Sequence, residues 1–391
     1  VENDPFQVQH NVPGSHERDL LIAALRAEWT GEAVRILSVT SFTDWTNEDR
    51  YDEDFSRVDI FRMLDTDDLT GVQQDLRVSS LPGDQPWSWQ AGLYLFQNDQ
   101  TDLNTRTFGA QAGLFGATPG LQEITRRDTT NRGIAPYGRA TLRQGDWDVT
   151  GGLRFDVQEQ DADGSRRFTM AGAPAGPATP FDETLSHEEW LPEASIGYSW
   201  RPGLRTYARA ARGLRAGGFN TNAPVDDAVY DPETLWNYEA GLKSTWLRDA
   251  LQVNVAAFWM EIEDQQVILF EAGGSGFFYY NAGEARSRGF EADAWLAVSR
   301  GLETLQSSTS RGLSLEAGAG YVDAEFTDYR DPAAGADYGG NPVPFAPSWT
   351  WHVAAVGEQV LFGDNTLFGS VSLTGIDDIA WDEANTVDTA G

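Results

Sequence analysis

From Asp19 onward the chain repeats one device: a run of about ten residues with period-two polarity, closed by a turn signal, and no sustained i, i+3, i+4 pattern competes with it. Such a chain folds as β-strands with one apolar face each. In the clearest run Trp147, Val149, Gly151, Leu153, Phe155 and Val157 share a face, opposite Asp148, Thr150, Gly152, Arg154 and Asp156. A second run groups Trp190, Pro192, Ala194, Ile196, Tyr198 and Trp200, and a third Leu251, Val253, Val255, Ala257 and Trp259. Counting such runs gives about fourteen strands and an all-β chain.

The connections alternate in length. Short turns stand at Thr30 to Glu32, Gly145-Asp146, Arg201 to Gly203 and Arg248-Asp249. Between them lie the long stretches Thr46 to Asp68, Thr101 to Arg132, Asp161 to His187, Ala216 to Pro232, Gln265 to Tyr280 and Thr327 to Ala346, with Arg300 to Arg311 the one turn too long for a tight hairpin. Tight turns on one side and long loops on the other are the habit of transmembrane β-barrels. Trp87, Trp89, Trp147, Trp190, Trp200, Trp236, Trp349 and Trp351 fall near strand ends, where interfacial aromatic girdles sit.

Composition agrees once the barrel is considered. No run of about 18 apolar residues exists to form a transmembrane helix, and the mean hydropathy is −0.42. A barrel wall averages lipid-facing apolar and lumen-facing polar residues, so it has this hydropathy as well. The 391 residues carry 28 Lys+Arg against 60 Asp+Glu, a net charge of −32, which removes the counterion-release attraction that nucleic-acid binding needs. With no Cys there are no disulfides, thiolate metal sites or cysteine nucleophiles. His10, His16, His187 and His352 are not spaced as metal pairs, and no nucleophile elbow or phosphate loop occurs, so neither an enzyme nor a resident cofactor is expected. The acidic stretch Asn47 to Asp68 offers oxygen donors that calcium takes, Asp49, Asp52 and Asp54 among them, and a hydrated charged loop is the competing reading. The opening residues Val1 to Asp19 have no signal-peptide pattern, so the chain is expected to be mature, processed or truncated.

Two blocks carry a family resemblance. YARAARGLRAGGFN, Tyr207 to Asn220, is followed by Pro232-Glu233 and Tyr238-Glu239-Ala240-Gly241-Leu242-Lys243, in the order RGxxxGGFN then PExxxxYExGxK. Downstream, Asn281-Ala282-Gly283-Glu284-Ala285 and Gly289-Phe290-Glu291 fit NAGxAxxxGxE. Together these resemble TonB-dependent outer-membrane receptors, with weaker similarity reaching Ser38 to Phe42 upstream and Pro344 to Trp349 downstream.

The resemblance implies a transmembrane antiparallel β-barrel spanning residues 1–391, part of a twenty-two-stranded wall around a plug. About fourteen strands leave roughly five and the plug before Val1, and roughly three after Gly391. It also implies an outer-membrane receptor that binds a scarce nutrient, foremost a ferric siderophore or similar iron chelate, and imports it with energy from an inner-membrane TonB-type protein reached through the plug. Its partners are outer-membrane lipid, the small-molecule ligand and that protein, with no nucleic acid. A passive porin-like or structural barrel, or a receptor for cobalamin or an oligosaccharide, is the alternative; a soluble lectin-like β protein comes third.

Site residues follow from the blocks. Arg215, Phe219, Asn220 and Tyr230 beside the RAGGFN loop, with Phe277 and Tyr279 in the aromatic run of another loop, are the candidate ligand contacts, and the upper aromatic girdle is their competing assignment. Gly213, Gly217 and Gly218 are expected to permit a bend or positive φ at a loop entry. Glu239 and Lys243 should face the lumen, opposite Trp236, Tyr238, Ala240 and Leu242. Glu233, Tyr238, Gly241, Asn281, Gly283, Gly289 and Glu291 complete the structural motif set. The same facing predicts that Leu153→Arg and Val255→Arg impair insertion while Arg154→Ala is tolerated.

Overall fold

The computed structural model describes residues 10–54, 56–220, 229–270, 277–298, 311–331, 335–362, 365–386 and 388–389. Its strands run β1 (Ser15–Thr30), β2 (Val34–Asp52), β3 (Phe61–Ser80), β4 (Trp87–Phe108), β5 (Leu121–Gln144), β6 (Trp147–Met170), β7 (Ala173–Pro174), β8 (Thr179–Arg201), β9 (Leu204–Arg215) and β10 (Gly218–Phe219). They continue with β11 (Val229–Tyr230), β12 (Glu233–Trp246), β13 (Leu251–Glu263), β14 (Gln266–Phe270), β15 (Phe277–Asn281), β16 (Glu284–Ala297), β17 (Arg311–Asp328), β18 (Trp349–Phe362), β19 (Asn365–Ile376), β20 (Ile379–Ala380) and β21 (Asp388–Thr389). One antiparallel sheet holds the long strands in the order β1-β2-β3-β4-β5-β6-β8-β9-β12-β13-β16-β17-β18-β19, with β7 added to β6. β10 with β11, β14 with β15, and β20 with β21 form separate two-stranded ribbons. No described pairing joins β1 to β19, and β1 is exposed along its whole length.

Register fixes which residues share a face. Trp147 stands opposite Tyr198, Val149 opposite Ile196, Gly151 opposite Ala194, Leu153 opposite Pro192 and Phe155 opposite Trp190. The row continues from Ile196 to Ala208, Ala240, Ala257 and Phe290. Its large members are exposed, Val149 by 46% and Ile196 by 44%, so the apolar face looks away from the protein. Burying that face in hydrocarbon is what the alternation encodes. Asp148, Thr150, Arg154 and Asp156 point to the opposite, inner face, where Thr150 and Asp156 are buried.

The strands outrun the apolar band. β5 and β6 have 24 residues each, about 80 Å of extended chain at ~3.3 Å per residue, against an apolar band of about 25 Å. Three of the expected long loops are therefore mostly strand: Thr46 to Asp68 contains the ends of β2 and β3, Thr101 to Arg132 those of β4 and β5, and Asp161 to His187 those of β6 and β8. The reason lies on the outer face beyond the aromatic girdle. There Asp44, Thr70, Asp99, Thr130, Asp161 and Thr184 form one cross-strand row over six strands. Each hydroxyl donates to an aspartate, Thr70 to Asp44 at 3.3 Å, Thr130 to Asp99 at 2.8 Å and Thr184 to Asp161 at 2.9 Å. With both faces polar, pleated strand loses its period-two signature and reads as loop.

The turns on the other side are short, as expected: Gly145 takes φ 62° between β5 and β6, and Gly203 takes φ 77° between β8 and β9. The long turn Arg300 to Arg311 lies outside the described residues except for its last residue, which begins β17.

Candidate ligand-entry site at the long-loop mouth

The motif blocks meet at the long-loop end of β9, β12, β13 and β16. After Arg215 the chain leaves the sheet, forms the β10–β11 ribbon, and re-enters as β12, where Glu233 returns opposite Arg215. After β13 it forms the β14–β15 ribbon and re-enters as β16.

The first ribbon lies against the inner face. Arg127 of β5 donates from Nη1 to the Phe219 carbonyl at 3.2 Å, and Gln160 of β6 donates from Nε2 to the Gly217 carbonyl at 3.0 Å. The Phe219 ring meets Phe181 of β8 edge-on, centroids 5.9 Å apart, and is only 7% exposed. Such an approach leaves no room for a side chain. A Cβ on Gly217 would run into the Tyr230 carbonyl oxygen and Leu185, and one on Gly218 into the Tyr230 phenol. Neither glycine, nor Gly213, is among the positive-φ residues, so the positive-φ half of the expectation is not met, and close contact is what requires Gly217 and Gly218 where the chain leaves the sheet. Gly283 is the motif glycine with positive φ, 105°, closing the β15–β16 junction.

The two ribbons are bound to each other by side-chain amides. Asn220 donates from Nδ2 to the Tyr279 carbonyl at 2.7 Å and accepts the Tyr279 N–H through Oδ1 at 2.9 Å. Asn281 repeats the device on Asp231, accepting its N–H at 2.8 Å and donating to its carbonyl at 3.0 Å, and also donates to the Asp264 carbonyl at 2.8 Å. Gln266 donates to the carbonyls of Ala216 at 2.9 Å and Asp231 at 3.1 Å, and its own N–H goes to Glu233 at 2.8 Å. Tyr230 packs on Tyr279 at 5.1 Å between centroids. Burial, with Tyr279 beside it, pushes the Tyr230 phenol above its ordinary pKa.

Of the candidate ligand contacts, Arg215 stands at the rim with its side chain 56% exposed, 4.0 Å from Glu233. Tyr230 and Tyr279 are half-buried between the ribbons, whereas Phe219 and Asn220 are buried and occupied in holding them. Phe277 begins β15, and its side chain lies outside the described residues. Reading from sequence missed Arg127, Gln160 and Gln266. Arg127 and Gln160 share the parity of the inward residues on their strands, and Gln266 is a polar residue opening an apolar run, but no local pattern says what they grip.

Below the ribbons the inner wall is a polar network. Tyr51 donates to Asp65 at 2.8 Å, Asn104 to the same carboxylate at 2.7 Å, Arg127 Nε to Asp102 at 2.8 Å and Arg106 Nε to Glu53 at 2.8 Å. Further down, Tyr137 donates to Asp75 at 2.8 Å and Arg205 to Asp148 at 2.5 Å. Tyr207 donates to Glu239 at 2.6 Å, with Lys243 5.7 Å over its ring, so both motif charges lie on the inner face while Tyr238 lies outside, 44% exposed. A Cβ on Gly241 would strike the Tyr207 ring, and one on Gly289 the Tyr321 carbonyl. Glu291 faces inward on β16, opposite Ala256 and Gly320.

The calcium option is dispersed. Asp49 accepts from Asn47 at 2.8 Å, Asp52 from the Asn11 N–H at 2.7 Å, and Asp54 from the Phe61 N–H at 2.9 Å. Among the described residues no group of three or more His, Asp or Glu side chains is placed to hold a metal ion.

The profile of the family described as TonB dependent receptor-like, beta-barrel matches residues 3–391. The chain belongs to this family. It is a β-barrel wall of the outer membrane, and the lipid-facing row at Val149 and Ile196 is the wall's exterior. Its fold is that of the ferric yersiniabactin uptake receptor FyuA from Yersinia pestis (TM-score 0.74, 18% identity, 95% of this chain, 52% of that one). The siderophore receptor PiuA from Acinetobacter baumannii is similar in the same way (TM-score 0.69, 15% identity, 95% of this chain, 56% of that one). In sequence, the metal-pseudopaline receptor CntO of Pseudomonas aeruginosa is 26% identical over 188 residues, 47% of this chain and 23% of that protein. The chain thus spans about half the length of the solved receptors it matches.

Proposed function

We propose that this TonB-dependent receptor barrel forms the wall of a transporter for a ferric siderophore or a similar anionic metal chelate, with energy supplied by an inner-membrane TonB-type protein acting on a plug within the barrel. The observation that carries the reading is the mouth. The guanidinium of Arg215 stands exposed at its rim, beside the half-buried Tyr230–Tyr279 pair and above a lumen wall of alternating arginines and carboxylates. A guanidinium suits the carboxylate or hydroxamate oxygens of a chelate, and aromatic faces suit its planar rings. The wall itself performs no covalent chemistry. It excludes lipid and aligns polar groups along the path.

FyuA is named for ferric yersiniabactin uptake, PiuA as a siderophore receptor and CntO as a metal-pseudopaline receptor, which supports a metal chelate over the other nutrients. The test is binding and uptake by the whole gene product, embedded in outer-membrane vesicles, with ferric citrate, a ferric catecholate, a ferric hydroxamate, cobalamin and a maltooligosaccharide as probes. Saturable binding of one ferric chelate supports the reading. Binding of cobalamin or the sugar alone moves the receptor to that ligand, and a steady ohmic pore in planar bilayers with no binding would make it a porin.

A further inference from the structure

The two ribbons do not stand alone over the mouth. The β14–β15 ribbon packs Val267, Leu269 and Phe278 onto Ala285, Phe326 and Tyr329, a buried apolar cluster made with the end of β17 and the segment after it. That segment turns back on itself, with the Asp331 and Tyr338 N–H groups given to Ala336 and Tyr329, and Asn341 donates from Nδ2 to the Glu383 carbonyl at 2.8 Å in the stretch after β19. In the other direction the β10–β11 ribbon is fixed to β5, β6 and β8 through Arg127, Gln160 and Phe181. A continuous series of contacts therefore runs from the inner wall at β5 to the far loops at β17 and β19, and within it the two ribbons are joined by the Asn220, Asn281 and Gln266 amides and the Tyr230–Tyr279 ring pair.

We infer that these segments form one pre-assembled cap over the lumen mouth, with Asn220 and Asn281 as the positioning residues that couple its parts. The cap is set before ligand arrives, so selection does not wait on loops folding around each ligand separately, and Arg215 is left exposed at its rim.

Physics favours a single body. Asn220 is 6% exposed and Gln266 7%, so their amides are matched to backbone groups away from water, where loss of a partner costs more than in solvent. Each asparagine satisfies both polar groups of one peptide residue, as a neighbouring strand would. The β10–β11 ribbon is thereby extended sideways onto the β14–β15 ribbon with no sheet between them. Opening one ribbon then breaks the links to the other, and the two share one opening equilibrium.

The inference rests on the receptor reading for its consequence in selection, but its test needs no ligand. Native-state hydrogen exchange on the whole gene product in detergent, read on peptides from 216–220, 229–231, 264–270 and 277–283, is compared for wild type, Asn281→Ala and Asn220→Ala. Coupling predicts that either substitution accelerates exchange in both ribbons together, by about tenfold, while peptides from the lower halves of β12 and β13 keep their protection and report an intact barrel. Acceleration confined to the ribbon that carries the substitution overturns the proposal, whatever the ligand proves to be. If either alanine variant fails to assemble, Gln266→Ala, which removes only the side-chain donors to Ala216 and Asp231, gives the same comparison. A full set of ligand-binding failures with coupled exchange retained would overturn the receptor reading and leave the cap standing.

Discussion

Asn220 and Tyr279, 59 residues apart, are joined as two strands are: the Asn220 amide donates to the Tyr279 carbonyl at 2.7 Å and accepts its N–H at 2.9 Å. An aspartate at 220 retains the acceptor and loses the donor. The lost donor becomes a buried carboxylate oxygen facing the Tyr279 carbonyl, so Asn220→Ala should weaken the contact between the ribbons by about 1–3 kcal/mol and Asn220→Asp by more, with barrel assembly unchanged. The readout is differential: proteolytic nicking between the ribbons should rise in the order wild type, Ala, Asp. Equal nicking of all three would show that the amide contributes nothing to holding the mouth.

Glycines in this wall separate into those pressed by neighbours and those that are not. A Cβ on Gly289 would sit within the Tyr321 carbonyl and against Phe258, while one on Gly151, on the lipid-facing side, meets no atom within 4 Å. Gly289→Ala should part β16 from β17 and lower the folded fraction on a semi-native gel, at a cost of about 1–3 kcal/mol for overpacking. Gly151→Ala should migrate as wild type. A normal gel shift for Gly289→Ala would mean that the two strands yield at no cost.

Facing was legible in the sequence wherever lipid imposed it. Trp147 to Val157 and Trp190 to Trp200 alternate cleanly because one face meets hydrocarbon, and their register is the one the pattern demands. Alternation disappears along the Asp44 to Thr184 row because water and carboxylates wet both faces there, so strand ends passed for loops. The mouth was legible as motifs and illegible as an assembly. Asn220, Glu233 and Asn281 stood out as letters of a pattern, yet what they do depends on backbone groups of Tyr279, Gln266 and Asp231 that no side-chain pattern marks.

One lumen residue assigned as replaceable has a task. Arg154 donates to Asp156 at 2.5 and 2.7 Å, and Asp156 is 3% exposed, so Arg154→Ala strips a buried carboxylate of its partner. Arg139 suits the control better, since its side chain is 56% exposed and lies 3.4 Å from Glu193, which Arg209 also serves at 3.1 Å. Leu153→Arg and Val255→Arg should each cost about 2–4 kcal/mol at mid-membrane and reduce insertion into vesicles. Arg139→Ala should insert as wild type and Arg154→Ala should fall between. Insertion of Leu153→Arg at the wild-type level would mean that this face does not meet lipid.

At the long-loop end, Asp59 ties two connections together. Its carboxylate takes both Nε and Nη2 of Arg62, at 2.8 and 2.7 Å, and the Ala110 N–H at 3.0 Å, while its carbonyl takes the Gln111 N–H at 2.9 Å. The Arg62 hydrogen bonds, helped by Ala110, hold Asp59 below the ordinary carboxylate pKa. A carboxylate depressed in the folded state stabilises at any pH above its unfolded value of about 3.9. That contribution is lost as pH falls from there through the lower folded value. The chain has no Cys, so a single label on Leu114→Cys, a position 74% exposed in the tied loop, reports on the order of that loop. Label mobility should stay flat from pH 7 to about 4.5 and rise only below about 3.9. With Asp59→Ala added, the label should be mobile at every pH, and any acid-induced rise should vanish. A mobility profile that Asp59→Ala leaves untouched would assign the loop's order to its 3₁₀ turn at Ala112–Phe115 and not to Asp59.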